Sequence, residues 1–355
     1  DLNNTNTGTM AIFNSSLLVG TGNSITGTEI WQYDGSVWTQ VNSDGFGDAG
    51  NRSTSCLSVY DGRLFAGTYN PTAGTEVWTY DGATWSQVNT NGFGTTNNQW
   101  SNSMEVFGGN LAVGTGNVST GLEVWSYDGA TWSQMATGGF GDSDNHNAGS
   151  MAVHGGNLYV TTYKTLGPGG EVWSYDGATW SQVNTDGFGD PNNLGAFSLA
   201  EFNGLLYAGT YNRITGTEIW QYDGSSWVQV NIDGFGTANN QASQAVDILD
   251  GALYFGTGNP ATGGEVWEWD GTLWRQIVDG GFGDAGNAAI ASNGLAAFGG
   301  FLIAGTFNPA GGEVWEIDPQ QTQGGVPAIP TLSTLGLLIL VVLIGITAAR
   351  ALRSA

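Results

Sequence analysis

Apolar and polar residues alternate in this chain in short blocks that return at a fixed interval. Ser103-Met-Glu-Val-Phe107, Leu111-Ala-Val-Gly-Thr115, Glu123-Val-Trp-Ser-Tyr127 and Thr131-Trp-Ser-Gln-Met135 each have the length and β-branched or aromatic content of a strand. Gly108-Gly109-Asn110 marks a turn between the first two, and a loop of Gly, Asn, Ser and Thr separates the second from the third. Asp128-Gly129 separates the third from the fourth and predicts a type I′ hairpin turn. The same dipeptide returns at Asp34-Gly35, Asp81-Gly82, Asp176-Gly177, Asp223-Gly224 and Asp270-Gly271.

The interval is set by a Glu-[Ile/Val]-Trp motif at Glu29, Glu76, Glu123, Glu171, Glu218, Glu265 and Glu313, with spacings of 47 or 48 residues. A constant period of this size means stacked or radially arranged units, none of which can bury its apolar face alone. Four short antiparallel strands per unit is the pattern of a β-propeller blade. The expected fold class is therefore all-β, a propeller of seven four-stranded blades over residues 1–318. The 59 glycines argue against a helical solenoid of similar period, since each would weaken a helix by about 1 kcal/mol. Paired tryptophans such as Trp78 with Trp85 and Trp173 with Trp180 recur in the copies, which favours blade-on-blade packing over sugar stacking as their role.

The segment Glu171-Val-Trp-Ser-Tyr-Asp-Gly-Ala-Thr-Trp180, together with Gly155-Gly-Asn-Leu-Tyr-Val160, resembles the blades of Kelch-type propellers. In place of that family's double glycine after the second strand, this chain has Gly-Thr, as at Gly67-Thr68 and Gly114-Thr115. The register opens on a first strand at Met10 and closes on a third strand at Glu313–Asp318. The ring is thus expected either to have a last blade of three strands or to take its fourth from residues upstream of Asp1.

Composition changes abruptly after Asp318. Residues 319–330 form a polar linker of Gln, Gly and Pro, and Leu332 to Ala349 then runs without a charge to Arg350 and Arg353. That length just spans a bilayer, and the arginines would keep the C-terminal end cytoplasmic and the propeller outside. Ile329-Pro330-Thr331-Leu332-Ser333, with the apolar run and terminal arginines, resembles the IPTL-CTERM sorting signal of Gram-negative bacteria. The resemblance implies export, membrane anchoring through a helix within residues 331–355, and recognition by an exosortase-like enzyme that can remove the tail.

Charge narrows the choice of function. The chain carries 31 acidic and seven basic residues, net −24, and setting Arg350 and Arg353 aside leaves five bases against all 31 acids. Such a surface repels nucleic acid. Cys56 is the single cysteine and takes the place of a serine in another copy, so a small buried side chain is expected there. His146 and His154 do not have zinc-ligand spacing, no phosphate-binding glycine loop is present, and no catalytic constellation is marked. The expectation is a binding or adhesion module without catalysis, with an extracellular glycan or protein as ligand. The alternatives are a glycan-active enzyme using acidic residues on the propeller face, or a purely structural surface protein.

In a propeller, the loops after the second and fourth strands share one face, and binding usually resides on such loops. Two sets of candidates lie in them. Arg52, Lys164 and Arg213 are isolated cations in an acidic shell and break the repeat. Asp48, Asp142, Asp190 and Asp284 end the Gly-Phe-Gly-Asp loops and make calcium the one cofactor to consider. Thr95 and Thr237 replace that Asp in other copies, which favours a turn-forming role.

Overall fold

The computed structural model describes residues 3–165 and 167–320. The sorting motif Ile329–Leu332 and the apolar run behind it lie outside the described residues. Among those described, no helix is long and apolar enough to cross a membrane.

The described chain is all-β and built of repeated antiparallel meanders. The first comprises Asn6–Phe13, Ser16–Gly22, Ile30–Tyr33 and Trp38–Gln40. Five more follow the same plan, and a final group holds Ala289–Phe298, Phe301–Phe307 and Val314–Ile317. The meanders are joined at one position, where the end of each second strand pairs with the start of the next first strand: Gly22 with Ser53, Tyr69 with Trp100, and so on round to Phe307 with Asn6. That last pair closes the sheet into a ring, so the meanders are the blades of a β-propeller. Asn308 N–H donates to the Thr5 carbonyl and Gly312 N–H to that of Asn4, which reinforces the closure.

The core lies between blades. Leu17, Val19, Ile303 and Val314 pack across one such face, and Leu111, Val113, Phe65 and Val77 across another. The sequence placed all four strands of the third unit within a few residues of their observed bounds, but it misassigned the turns. The Asp-Gly segments are four-residue loops in which only the glycine has positive φ (97° at Gly35), while the Asp34 carboxylate accepts from Ser36 and Val37 N–H. Turns with positive φ at both central residues join the first and second strands instead, as at Asp61-Gly62 and Asn203-Gly204. The aspartate forms its own side-chain turn, which removes the need for the tighter backbone geometry.

One polar lattice recurs in every blade. The carboxylate of the motif glutamate accepts from the tryptophan two residues on and from an asparagine about 25 residues earlier. For Glu76 these are Trp78 Nε1 at 2.9 Å and Asn51 Nδ2 at 2.7 Å. Asn51 Nδ2 also donates to the Gly45 carbonyl, inside the Gly-Phe-Gly turn. Phe46 in that turn has φ 58° and stacks on Trp78 with centroids 4.7 Å apart. Positive φ is costly for a phenylalanine, and the stacked ring and bonded turn hold it there. The tryptophans that recur are therefore structural, as their repetition implied.

Candidate functional site

The repeat varies at the ends of its second strands. The residues that join neighbouring blades ring one mouth of the central channel, and at the end of the second strand they read Gly22, Tyr69, Gly116, Tyr163, Tyr211, Gly258 and Phe307. Three positions are glycine and four are aromatic, in an order that does not follow the scaffold. Tyr69 stacks on Trp100 at 4.4 Å and 5°. On another side of the mouth, Tyr163, Phe197 and Tyr211 form a cluster with centroids 5.3–6.1 Å apart. The Arg213 guanidinium lies 5.1 Å from the Tyr211 ring centre, a cation–π geometry. Burial is the main cause raising the Tyr163 hydroxyl above its usual range, so it stays a neutral donor.

Inside the mouth is a cavity of about 290 Å³, whose lining includes Tyr69, Trp100, Asn102, Asn147, Phe197 and Asn293. Its other lining residues are Asn, Ser, Thr and Gly, with no acid and no base. Asn6 and Asn147, also in the wall, each hold a buried Oδ1 without a hydrogen-bond partner. Such a mixture of aromatic faces and neutral amides and hydroxyls suits a ligand that is itself neutral, part apolar and rich in hydroxyls.

The first strand of the last blade carries extra residues, and the register shifts between Ile290 and Leu295. Asn293, with φ 56°, reaches past the first blade to the Ser55 carbonyl of the second and lines two cavities. Beyond it Met10, Leu57, Met104, Met151, Leu199 and Val246 line a second cavity of about 350 Å³. Asp247 is the one carboxylate in that lining, and burial raises it above the usual carboxylate range. Neither cavity brings two carboxylates together.

The sequence candidates fall elsewhere. Lys164 stands where other copies have asparagine, and it is only 1% exposed. Its Nζ donates to Asp142 at 2.8 Å and Glu171 at 2.6 Å. Burial alone would lower its pKa, but the two carboxylates outweigh that and raise it. Its charge is spent inside the blade and does not face a ligand. Asp48, Asp190 and Asp284 each accept a backbone N–H two residues on and a side-chain N–H from the asparagine of the following blade, Asn70, Asn212 and Asn308. Asp142 does the same with Asp144 N–H and Lys164. These aspartates tie adjacent loops together, and among the described residues no group of three or more His, Cys, Asp or Glu could hold a metal ion. Arg52 and Arg213 are exposed on the loop face, flanking the mouth. Cys56 is buried, its thiol pushed up to about 12 by desolvation, and it donates to the Ser101 carbonyl. The aromatic mouth escaped the sequence reading, although its signal was present in the second-strand ends, which change where the rest of the repeat does not.

No family model matches the chain, and no curated protein matches it. Solved structures do. An Aleuria aurantia lectin mutant in complex with Fucα1-6GlcNAc aligns with a TM-score of 0.54 at 14% identity, covering 82% of this chain and 97% of that one. SapL1 lectin in complex with α-methyl fucoside gives 0.51 at 14% identity over 76% and 94%. A triple mutant of AofleA from Arthrobotrys oligospora gives 0.52 at 11% identity over 77% and 86%. At these identities the likeness is one of fold: a β-propeller, shared with lectins.

Proposed function

We propose that this protein is a seven-bladed propeller that binds glycans and is displayed outside the cell. The observation that carries the reading is the channel mouth. It is a part of the loop face that departs from the repeat, and it gathers stacked aromatic rings beside neutral hydrogen-bonding side chains, without a carboxylate pair. Rings take the apolar face of a sugar, and Asn and Ser groups take its hydroxyls. A glycosidase would need two carboxylates set across one bond. Arg52 and Arg213 at the rim would add hydrogen-bond donors for the hydroxyls of a longer glycan. The likeness to lectins crystallised with fucosides makes fucosylated glycans the first to try. The IPTL-type tail, with Ile329, Pro330, Thr331 and Leu332, supports export and handling by an exosortase-like enzyme.

The test is a glycan array probed with the full chain in detergent, followed by titration of the best ligand. Binding should fall at least tenfold in a Tyr69→Ala/Trp100→Ala variant, the loss expected on removing a stacking platform of more than 1.4 kcal/mol. An array with no glycan bound would end this reading. Undiminished binding in the double variant would move the site away from the mouth.

A further inference from the structure

The first strands carry a second tier that follows the repeat closely and then breaks it. In every blade one position of the first strand is Met, Leu or Val, from Met10 opposite Val19 to Leu295 opposite Ala304. All of these residues line the second cavity, of about 350 Å³. They form an apolar belt, and the methionines among them can adapt to an irregular guest. The next position along each strand is Ala or Ser in five blades, as at Ala152 and Ala200, and an acid in two, Glu105 and Asp247. Asp247 belongs to the cavity wall and Glu105 does not.

Two groups in that wall lack a complement. Asp247 Oδ2 accepts the Ala297 N–H at 2.6 Å, which leaves further acceptor capacity on the carboxylate. No Lys, Arg or His lines the cavity, and among the described residues Asp247 enters no ion pair. Desolvation is the main cause that raises its pKa, the sign of a carboxylate held in an apolar wall without a cation. Ser103 is the other group. It is 6% exposed and lines the cavity, and its Oγ has no hydrogen-bond partner. At the same register Cys56 donates to the Ser101 carbonyl and Ser198 to the Ser243 carbonyl, both at 3.0 Å.

A buried hydroxyl without a partner and a desolvated carboxylate without a cation are both costly, and one guest can relieve both. We infer that this cavity is a second ligand site, distinct from the mouth, for a short aliphatic amine that carries a hydroxyl at its far end. The ammonium supplies the cation that Asp247 lacks, the methylene chain covers the belt, and the hydroxyl bonds to Ser103. A ligand carboxylate would be repelled by Asp247. A sugar would leave most of its hydroxyls against Met, Leu and Val side chains. The volume is in the range of small-molecule pockets.

The test is calorimetry on the full chain in a steroid detergent, too bulky to enter the cavity, at physiological salt so that weak attraction to the acidic surface is screened. Aminopentanol should bind at one molecule per chain, about tenfold tighter than pentanediol, which lacks the charge, while pentanoate should not bind. Pentylamine should bind about fivefold more weakly than aminopentanol, and Ser103→Ala should erase that difference without lowering the melting temperature. Asp247→Asn keeps an acceptor for the Ala297 N–H and should bring aminopentanol down to the level of pentanediol. Asp61→Asn removes an exposed acid outside the cavity and should leave both affinities unchanged. Absence of aminopentanol binding, equal binding of pentanediol by the parent, or equal aminopentanol affinity in the Asp247→Asn and Asp61→Asn variants would each overturn the inference. The ligand series on the parent and the Ser103→Ala variant decide the matter even if Asp247→Asn does not fold.

Discussion

The junction between the first two blades and the junction between the last and the first are built on the same residues but finished differently. In the former, Phe46 covers Trp78, Asn51 ties Glu76 to the turn, and Trp85 reaches the Val41 carbonyl. In the latter, Trp31, Asn4 and Trp38 are in place, yet among the described residues the Trp31 indole and Asn4 amide nitrogens bond only to Glu29 of their own blade, and Trp38 Nε1 has no partner. The sheet is nevertheless closed there by Asn6 with Phe307. Closure of the ring and completion of a junction are thus separate tasks. The inner strands do the first, and the outer strand with its turn does the second.

The largest effect is expected where one blade departs from the others inside the lattice. Lys164 holds Asp142 and Glu171, whose side chains are 46% and 7% exposed. Lys164→Met leaves Glu171 buried without its cation and should destabilise by about 3–5 kcal/mol in denaturant unfolding. Lys164→Asn restores the residue used in the other blades, where Asn70 serves Asp48 and Asn51, and should cost about 1 kcal/mol or less. Equal losses in the two variants would mean that the fourth blade is not interchangeable with its neighbours.

A smaller effect separates the two junctions directly. Trp85→Phe deletes a made hydrogen bond and leaves the Val41 carbonyl unpaired, so it should destabilise by about 1–2 kcal/mol. Trp38→Phe deletes an N–H that has no acceptor, and the melting temperature should stay level or rise. If Trp38→Phe were as harmful as Trp85→Phe, the seam would already be complete by other means.

What the sequence disclosed follows from the length scale of each feature. The period, the strands and the structural role of Trp78 or Trp173 are local patterns repeated in every copy, and repetition averages out the ambiguity of any one. The turn types were missed because a side-chain acceptor such as Asp34 can replace a backbone turn without changing the dipeptide. Lys164 looked like a surface cation because its partners are 22 and seven residues away, and its burial depends on the loops folding together. The channel mouth was missed because Tyr69 meets Trp100, and Tyr163 meets Phe197, only through the ladder between adjacent blades. Rim loops suggested by the sequence do flank the site, but their aspartates build turns.

The smallest effect per residue belongs to the aspartates of the outer hairpins, and it is visible only in acid. Asp34, Asp81, Asp128, Asp176, Asp223 and Asp270 all have pKa values lowered by hydrogen bonds from the backbone N–H groups of their own turns. For Asp223 the value falls from 3.8 to about 2, with the Ser226 N–H as the main cause. A carboxyl whose pKa is depressed on folding contributes stability that is full above its unfolded value and disappears as pH falls through the folded one. The Asp223 turn should therefore weaken between about pH 4 and pH 2, and the other five should weaken in the same direction as pH falls below the ordinary carboxylate range. Asp223→Asn keeps an oxygen to accept from Ser225 and Ser226 but removes the titration. Its unfolding midpoint should match the parent's within error at pH 2 and lie slightly below it at pH 7, where only the parent has a charged acceptor. Because the group is exposed, the difference should shrink in high salt. A difference that instead grew as pH fell would show that the Asp223 turn does not favour the charged carboxyl.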